Sequence, residues 1–340
     1  METKRKVAAA TLALLLFISG MLIGLAISGN DSTPTFVIEE NSMSVAASYI
    51  IGRCNSTHSY ARNGLTGQIE HVNSSDVYTF AYARNKVYEN GGGLIFVKAG
   101  TYKLSLSLAA RSNVWWIGEG KSTVVYGSGS AYRRFYLGNN QTVLNMAFHY
   151  MCVTVNPYPE AVSNVKIENC WFLGNPLFIA VQLNIGNYNV SNIHVSDNYF
   201  VNYQTAIEIK AEGSGSTIMK QVMIAGNTIL DCGAGIKVYD AAGHAGYTKT
   251  LRNLMIQGNM IADCTGNGTQ LAGIGGADWF HVENVSICLN HIFNCGDYGI
   301  AIQNSQVYHA FIHGNYLHGN TDGAIYDAGT ATTKTDNKGA

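Results

Sequence analysis

The sequence predicts an all-β solenoid, in which short parallel strands stack as successive coils, behind an apolar N-terminal helix. Three observations predict it. One phrase recurs six times: NVKIENCWFLGN from Asn164, NIHVSDNYFVNY from Asn192, QVMIAGNTILDC from Gln221, NLMIQGNMIADC from Asn253, NVSICLNHIFNC from Asn284 and HAFIHGNYLHGN from His309. The starts lie 28, 29, 32, 31 and 25 residues apart. Each copy opens on strict alternation, as in Val165/Ile167, Ile193/Val195 and Val222/Ile224, and period 2 is the period of a strand. A second short strand follows each of the first five copies: AVQLNI (180–185), AIEIKA (206–211), GIKVYD (235–240), GIGGAD (273–278) and GIAIQN (299–304). A repeat of this length with strands and no helix buries its apolar face only by stacking on its neighbours.

Along the chain, the first element is the leader. Lys4-Arg5-Lys6 precedes an uncharged apolar run from Val7 to Ile27. At about 1.5 Å per residue that run spans a hydrocarbon core of about 30 Å, which favours an uncleaved signal-anchor, a transmembrane helix holding the rest of the chain outside. Ala26-Ile27-Ser28 offers the alternative, a signal peptide cleaved before Gly29. Either way the body is expected to be exported, at the cell surface or secreted. Residues 29–47 read as a linker and 48–90 as an N-terminal segment. Within it, 76–89 is expected to form a helix placing Val77, Phe80, Ala81, Val87 and Tyr88 on one face, with Ser75 as N-cap and Asn90-Gly91 as the stop. Such a helix can cover the open end of the stack. The β-helical coils are expected over 91–329. The tail 330–340 is polar and supplies no apolar cap, which leaves a homo-oligomeric partner as one cover for the last coil.

Composition narrows the function classes. Charged residues make up 13% of the chain and hydrophobic ones 47%, which excludes wholesale disorder. Without the leader there are 18 basic and 21 acidic residues, so no basic surplus exists for nucleic acid. Seven cysteines without a CxxC pair form neither a disulfide framework nor a zinc signature. Sequons at Asn30, Asn55, Asn73, Asn140, Asn189, Asn267 and Asn284 suit an exported glycoprotein.

Aligning the coils predicts ladders. Asn198, Asn227, Asn259, Asn290 and Asn315 share one column, where stacked amides can bond along the axis and tolerate a left-handed corner. Phe172, Phe200, Ile229, Ile261, Ile292 and Leu317 form an apolar stack, and Cys232, Cys264 and Cys295 pack as small hydrophobes.

These residues carry a family likeness. GGGLIFVKAGTY (91–102), SNVWWIGEGKSTVVYG (112–127) and the serial NVxIxxNxF coils resemble the pectin-lyase-like superfamily of right-handed parallel β-helices. ARNGLTGQIEH (61–71) with the 76–89 helix resembles exported archaeal-type members of that group. The resemblance covers roughly residues 48–328 and implies the fold and a polysaccharide or envelope glycan as partner. It does not imply one activity, since the superfamily holds lyases, hydrolases, esterases and non-catalytic surface proteins. Gly243-His244-Ala245-Gly246 is similar to the Gly-His-Gly of polygalacturonases, with Ala in place of the second Gly. The Asp-Asp and Arg-x-Lys that accompany it there are missing, as are the methylesterase Asp pair and the calcium-binding Asp cluster of the pectate lyases.

The candidate site comes from the second strands. Their alignment puts Gln182, Glu208, Lys237, Gly275 and Ala301 in one outward column, and Asn184, Lys210, Tyr239, Ala277 and Gln303 in the next. Asp240 and Asp278 would stack at about 4.8 Å, a spacing suited to a glycosidase pair or a shared calcium ion. His244 leaves the same corner, and Trp279 and His281 follow Asp278. Asp240, Asp278, His244, Glu208 and Lys237 are therefore the candidate catalytic residues, and Lys210, Tyr239, Trp279 and His281 the candidate substrate-binding ones. Apart from that calcium, no metal or cofactor is indicated. The competing reading is plain structure: Asp and Asn form turns at corners, and Glu208 beside Lys237 makes a surface ion pair. The functional classes left are a polysaccharide lyase or hydrolase, a carbohydrate-binding adhesive protein and a structural envelope component.

Overall fold

A computed structural model describes residues 47–128, 132–240, 247–273 and 280–339. One coil shows how the repeat folds. Val190–Ser196 lies in a first sheet, Tyr199–Val201 in a second and Thr205–Ala211 in a third, after which Thr217–Ala225 returns to the first. Each strand pairs in parallel with its counterpart one coil on, for example Ile193 with Val222, Phe200 with Ile229 and Ile207 with Ile236. The inward positions of all three sheets form one continuous apolar core.

The helix Asp76–Glu89 closes one end. Phe80 stacks on Trp116 with ring centres 5.6 Å apart, and Trp116 meets Phe135 at 5.2 Å. The aromatic run continues through Phe148 and Phe172 to Phe200, with centres 4.7–5.5 Å apart. Val77, Phe80 and Val87 are buried as expected, joined by Thr79, Ala83 and Arg84, whereas Tyr88 is half exposed. Ser75 occupies the N-cap position without a side-chain capping bond. Ahead of the helix, Tyr49–Arg53, Ser59–Asn63 and Ile69–Asn73 form an antiparallel edge on the first sheet, joined to the coils through the pairing of Tyr49–Arg53 with Gly93–Val97. At the other end the polar tail joins the stack. Thr333–Thr335 pairs with Phe311–His313, and Asn337 extends the amide ladder.

That ladder is the polar spine of the core. Asn198, Asn227, Asn259, Asn290 and Asn315 are each at most 2% exposed. Each Nδ2 donates to the Oδ1 of the next at 2.8–3.0 Å. The left-handed backbone falls on the residue before each amide, at Asp197, Gly226, Gly258, Leu289 and Gly314, with φ of 56–66°. The amides themselves are left free to turn inward. All seven cysteines are free thiols, and Cys232, Cys264 and Cys295 are buried as expected. Asn267 is buried, so its sequon is closed to a glycan in the folded chain.

The fourth coil departs from the sequence alignment. Its third-sheet strand is Thr269–Gly273, and Lys237 pairs with Gln270 before a register shift brings Gly273 to Tyr239. Gln270 therefore holds the position expected for Gly275. The apolar run misled the alignment because both TQLAG and GIGGAD alternate. Among the described residues no helix is long and apolar enough to cross a membrane, and the apolar run 7–27 lies outside them.

Candidate functional site

The outer face of the third sheet carries a column of polar side chains, Gln182, Glu208, Lys237 and Gln270, one per coil. Alternation puts Ile207 and Ile209 in the core and Glu208 outside it. Even so, Glu208 is only 3% exposed, because neighbouring side chains close over it. Gln182 Nε2 donates to its Oε1 at 2.6 Å, and Arg134 holds the other end of that amide by donating to Gln182 Oε1 at 2.8 Å. Tyr239, on the next coil and paired in register with Lys210, lies beside Glu208. Burial raises the Glu208 carboxyl above its ordinary range, and the Gln182 bond with the charges of Lys210 and Lys237 only partly offsets this. Burial, then the nearby Glu208 charge, pushes the Tyr239 hydroxyl up to about 12. The Lys237 ammonium lies 4.7 Å from the centre of the Tyr239 ring, a cation–π contact.

Glu208, Lys237 and Tyr239 line a groove of about 410 Å³ that crosses several coils. Its far wall comes from the corner between the second and third sheets, where Asn267 Nδ2 donates to Asp297 Oδ2 at 3.3 Å. Asp297 sits three coils beyond Glu208, about 14 Å along the axis at the usual strand spacing. That is wider than the 5–10 Å of paired-carboxylate hydrolysis. The described part of the groove therefore offers one acid–base carboxyl, a cation and a row of amides.

The structure sorts the remaining candidates. Lys210 projects beside the groove and pairs with Glu212 at 2.8 Å. Asp240 is buried at the strand end, away from the groove lining, and its charge acts on Lys249. Lys249 points into the solenoid, where its Nζ donates to the carbonyls of Gly186 and Gly215 at 2.7 and 2.6 Å. His281 stands on the first sheet, edge-on to Tyr308. His244, Asp278 and Trp279 lie outside the described residues, so the Asp240–Asp278 calcium site does too. Among the described residues no three His, Cys, Asp or Glu side chains are placed to hold a metal ion. The alignment missed Arg134, Asn267 and Asp297, which belong to irregular coils or corners. Gln270 was missed through the register shift.

A second concentration of titratable groups lies on the second sheet. His291 Nε2 and His318 Nε2 are 3.0 Å apart, packed with Phe293 and Tyr316. One ring donates and the other accepts, an arrangement that double protonation destroys. Burial and then His318 lower the His291 pKa. The folded state thus binds fewer protons than the unfolded one, and the stability involved is lost as pH falls below about 6.5. Thermal unfolding between pH 7.5 and 5 should show the wild type losing more stability than His318→Gln. Parallel curves would exclude a role for the pair.

The comparisons with known proteins agree with the β-helical fold. The family described as right handed beta helix region matches residues 160–338, more than half of the chain. The chain belongs to that right-handed β-helix family. No curated protein matches it. Among solved structures, a double mutant of the tailspike protein of E. coli bacteriophage HK620, in complex with a pentasaccharide, aligns with a TM-score of 0.53 at 14% identity, covering 88% of this chain and 72% of that one. Another mutant of the same tailspike gives 0.51 at 14% identity, covering 88% and 71%. The A-module of the Azotobacter vinelandii mannuronan C-5 epimerase AlgE6 aligns at 15% identity over 78% of this chain and 95% of that one, with a TM-score of 0.29. At these identities the likeness to the tailspike is one of fold.

Proposed function

We propose that this β-helix protein is exported, held at the cell surface by residues 7–27, and binds a polysaccharide along the third-sheet groove. The observation that carries the reading is the groove itself. It is elongated along the coil axis, lined by amides and hydroxyls, and holds a buried carboxyl beside a cation and a tyrosine. A linear glycan can run across successive coils and meet one polar side chain about every 4.8 Å. The tailspike of the same fold was solved with a pentasaccharide, which adds support by analogy of fold alone. Glu208 supplies the acid–base group for cleavage of the bound chain, as a lyase or glycoside hydrolase requires. A non-catalytic binding protein is the second reading, favoured by the wide separation of Glu208 from Asp297.

The test is a panel of neutral and acidic polysaccharides presented to the full-length protein, reading binding, reducing ends and unsaturated products. Lys237→Glu, which reverses the charge at the centre of the groove, is expected to weaken binding of the preferred glycan at least tenfold. Tyr239→Ala should weaken it several-fold. A binding glycan that neither substitution affects would place its site elsewhere.

A further inference from the structure

The outer face of the first sheet, at the end covered by the helix, carries a second cavity of about 590 Å³. Its floor is a column on four adjacent coils, Leu94, Trp115, Thr142 and Lys166. At the strand spacing this column is about 14 Å long. Trp115 is 51% exposed, whereas the adjacent Trp116 is in the core. The Trp115 indole Nε1 donates to the Asn140 carbonyl at 3.2 Å, which fixes the ring by its edge and leaves a face open.

Beside the floor runs a second amide ladder, on the surface and separate from the buried one. Asn140 Nδ2 donates to Asn113 Oδ1 at 2.9 Å, Asn164 to Asn140 at 2.8 Å and Asn192 to Asn164 at 2.6 Å. These residues hold left-handed backbone, with φ of 51–63°. An amide has two N–H groups and two lone pairs, and the ladder uses one of each. The inner amides keep a donor and an acceptor for a ligand, repeated about every 4.8 Å. The other wall is bare backbone at Gly91–Gly92–Gly93, with a Cβ at Gly92 meeting Asn113 at 2.5 Å. Among the described residues Lys166 is the one charged residue lining the cavity.

We infer that this cavity is a second binding site, for a neutral oligosaccharide. A sugar ring has an apolar C–H face and a rim of hydroxyls, each both donor and acceptor. The open face of Trp115 takes the first, and the Asn113–Asn140–Asn164 row takes the second. Among the described lining residues the one charge, Lys166, stands at the far end of the floor, and the rest is indole, amide, hydroxyl and bare backbone, which suits a chain that is neutral over most of its length. Among the cavity's described residues there is no acid, and the role inferred for it is binding. It stands on a different sheet from the Glu208 groove and does not depend on that groove's function.

The test uses the full-length protein with cello-, manno- and chito-hexaoses, reading tryptophan fluorescence and calorimetric binding. At least one of these is expected to bind and change the emission. Trp115→Ala should then lose about tenfold or more in affinity. Thr142→Arg fills the floor from an outward position without touching the core, and should lose a similar amount with Trp115 intact. Lys237→Glu, which weakens binding in the third-sheet groove, should leave this binding unchanged. The inference is overturned if none of the three probes binds, or if Thr142→Arg binds them as the wild type does.

Discussion

Asn259→Ala is expected to destabilise the solenoid by roughly 3–5 kcal/mol, the cost of leaving several buried polar groups unpaired. Asn259 is 1% exposed and makes bonds in both directions along the axis. Its Oδ1 accepts from the Asn227 backbone N–H and Nδ2 at 3.0 and 2.9 Å. Its own Nδ2 donates to the Ile224 carbonyl at 3.0 Å and to Asn290 Oδ1 at 2.9 Å. Alanine strands all of these at once, and the space beside them is too apolar for water to substitute. Asn259→Asp keeps the acceptor and loses the donor, so it should be destabilising too. Strand pairing joins each coil to its neighbours, so the damage falls on the junction between the third and fifth repeats. Urea unfolding is therefore expected to shift to lower midpoint and to broaden as the two halves uncouple. A loss below about 1 kcal/mol would mean the ladder contributes little beyond what packing already supplies.

Much of this was legible in the sequence because a solenoid repeats its physics. The alternation at Val165/Ile167 and its five successors gave strands, and the shared column of asparagines gave the ladder with its register. Glu208, Lys237 and Tyr239 were placed together by the same alignment. Their chemistry was hidden, because the side chain that bonds the buried Glu208 carboxyl, Gln182, comes from another coil and is itself held by Arg134. Period alone marks a residue as outward and says nothing of what folds over it. Lys249 shows the converse: it shares the inward phase of Leu251, and a lysine at an apolar phase was the available signal that it is buried. The fourth coil failed because a register shift next to Gly273 breaks the count on which alignment relies. The three antiparallel strands over 49–73 belong to no repeat and so offered no period to read.

If the groove cleaves its glycan, Glu208→Gln is expected to reduce turnover by at least 100-fold while leaving binding within a few-fold, since glutamine keeps the shape and loses the transferable proton. The buried position sets the pH dependence. Burial raises the folded-state pKa of Glu208 above that of the unfolded chain. The folded state therefore holds the proton more tightly. The associated stability is fully present below the unfolded value of about 4.3 and is lost as pH rises through the folded one. Glutamine cannot ionise, so Glu208→Gln should remove this decline and be at least as stable as the wild type at neutral pH. Lys237→Met acts in the opposite sense. Removing the cation that favours the carboxylate should raise the Glu208 pKa further and shift the acid-dependent limb of the activity profile to higher pH. A tyrosine pushed up to about 12 stays protonated throughout this range, so Tyr239 does not itself titrate. Thermal unfolding across pH 4–8 for the wild type and Glu208→Gln decides the point without a substrate. If both respond to pH identically, Glu208 is ionised like a surface carboxylate, and the groove loses the one group that distinguishes a catalytic site from a binding surface.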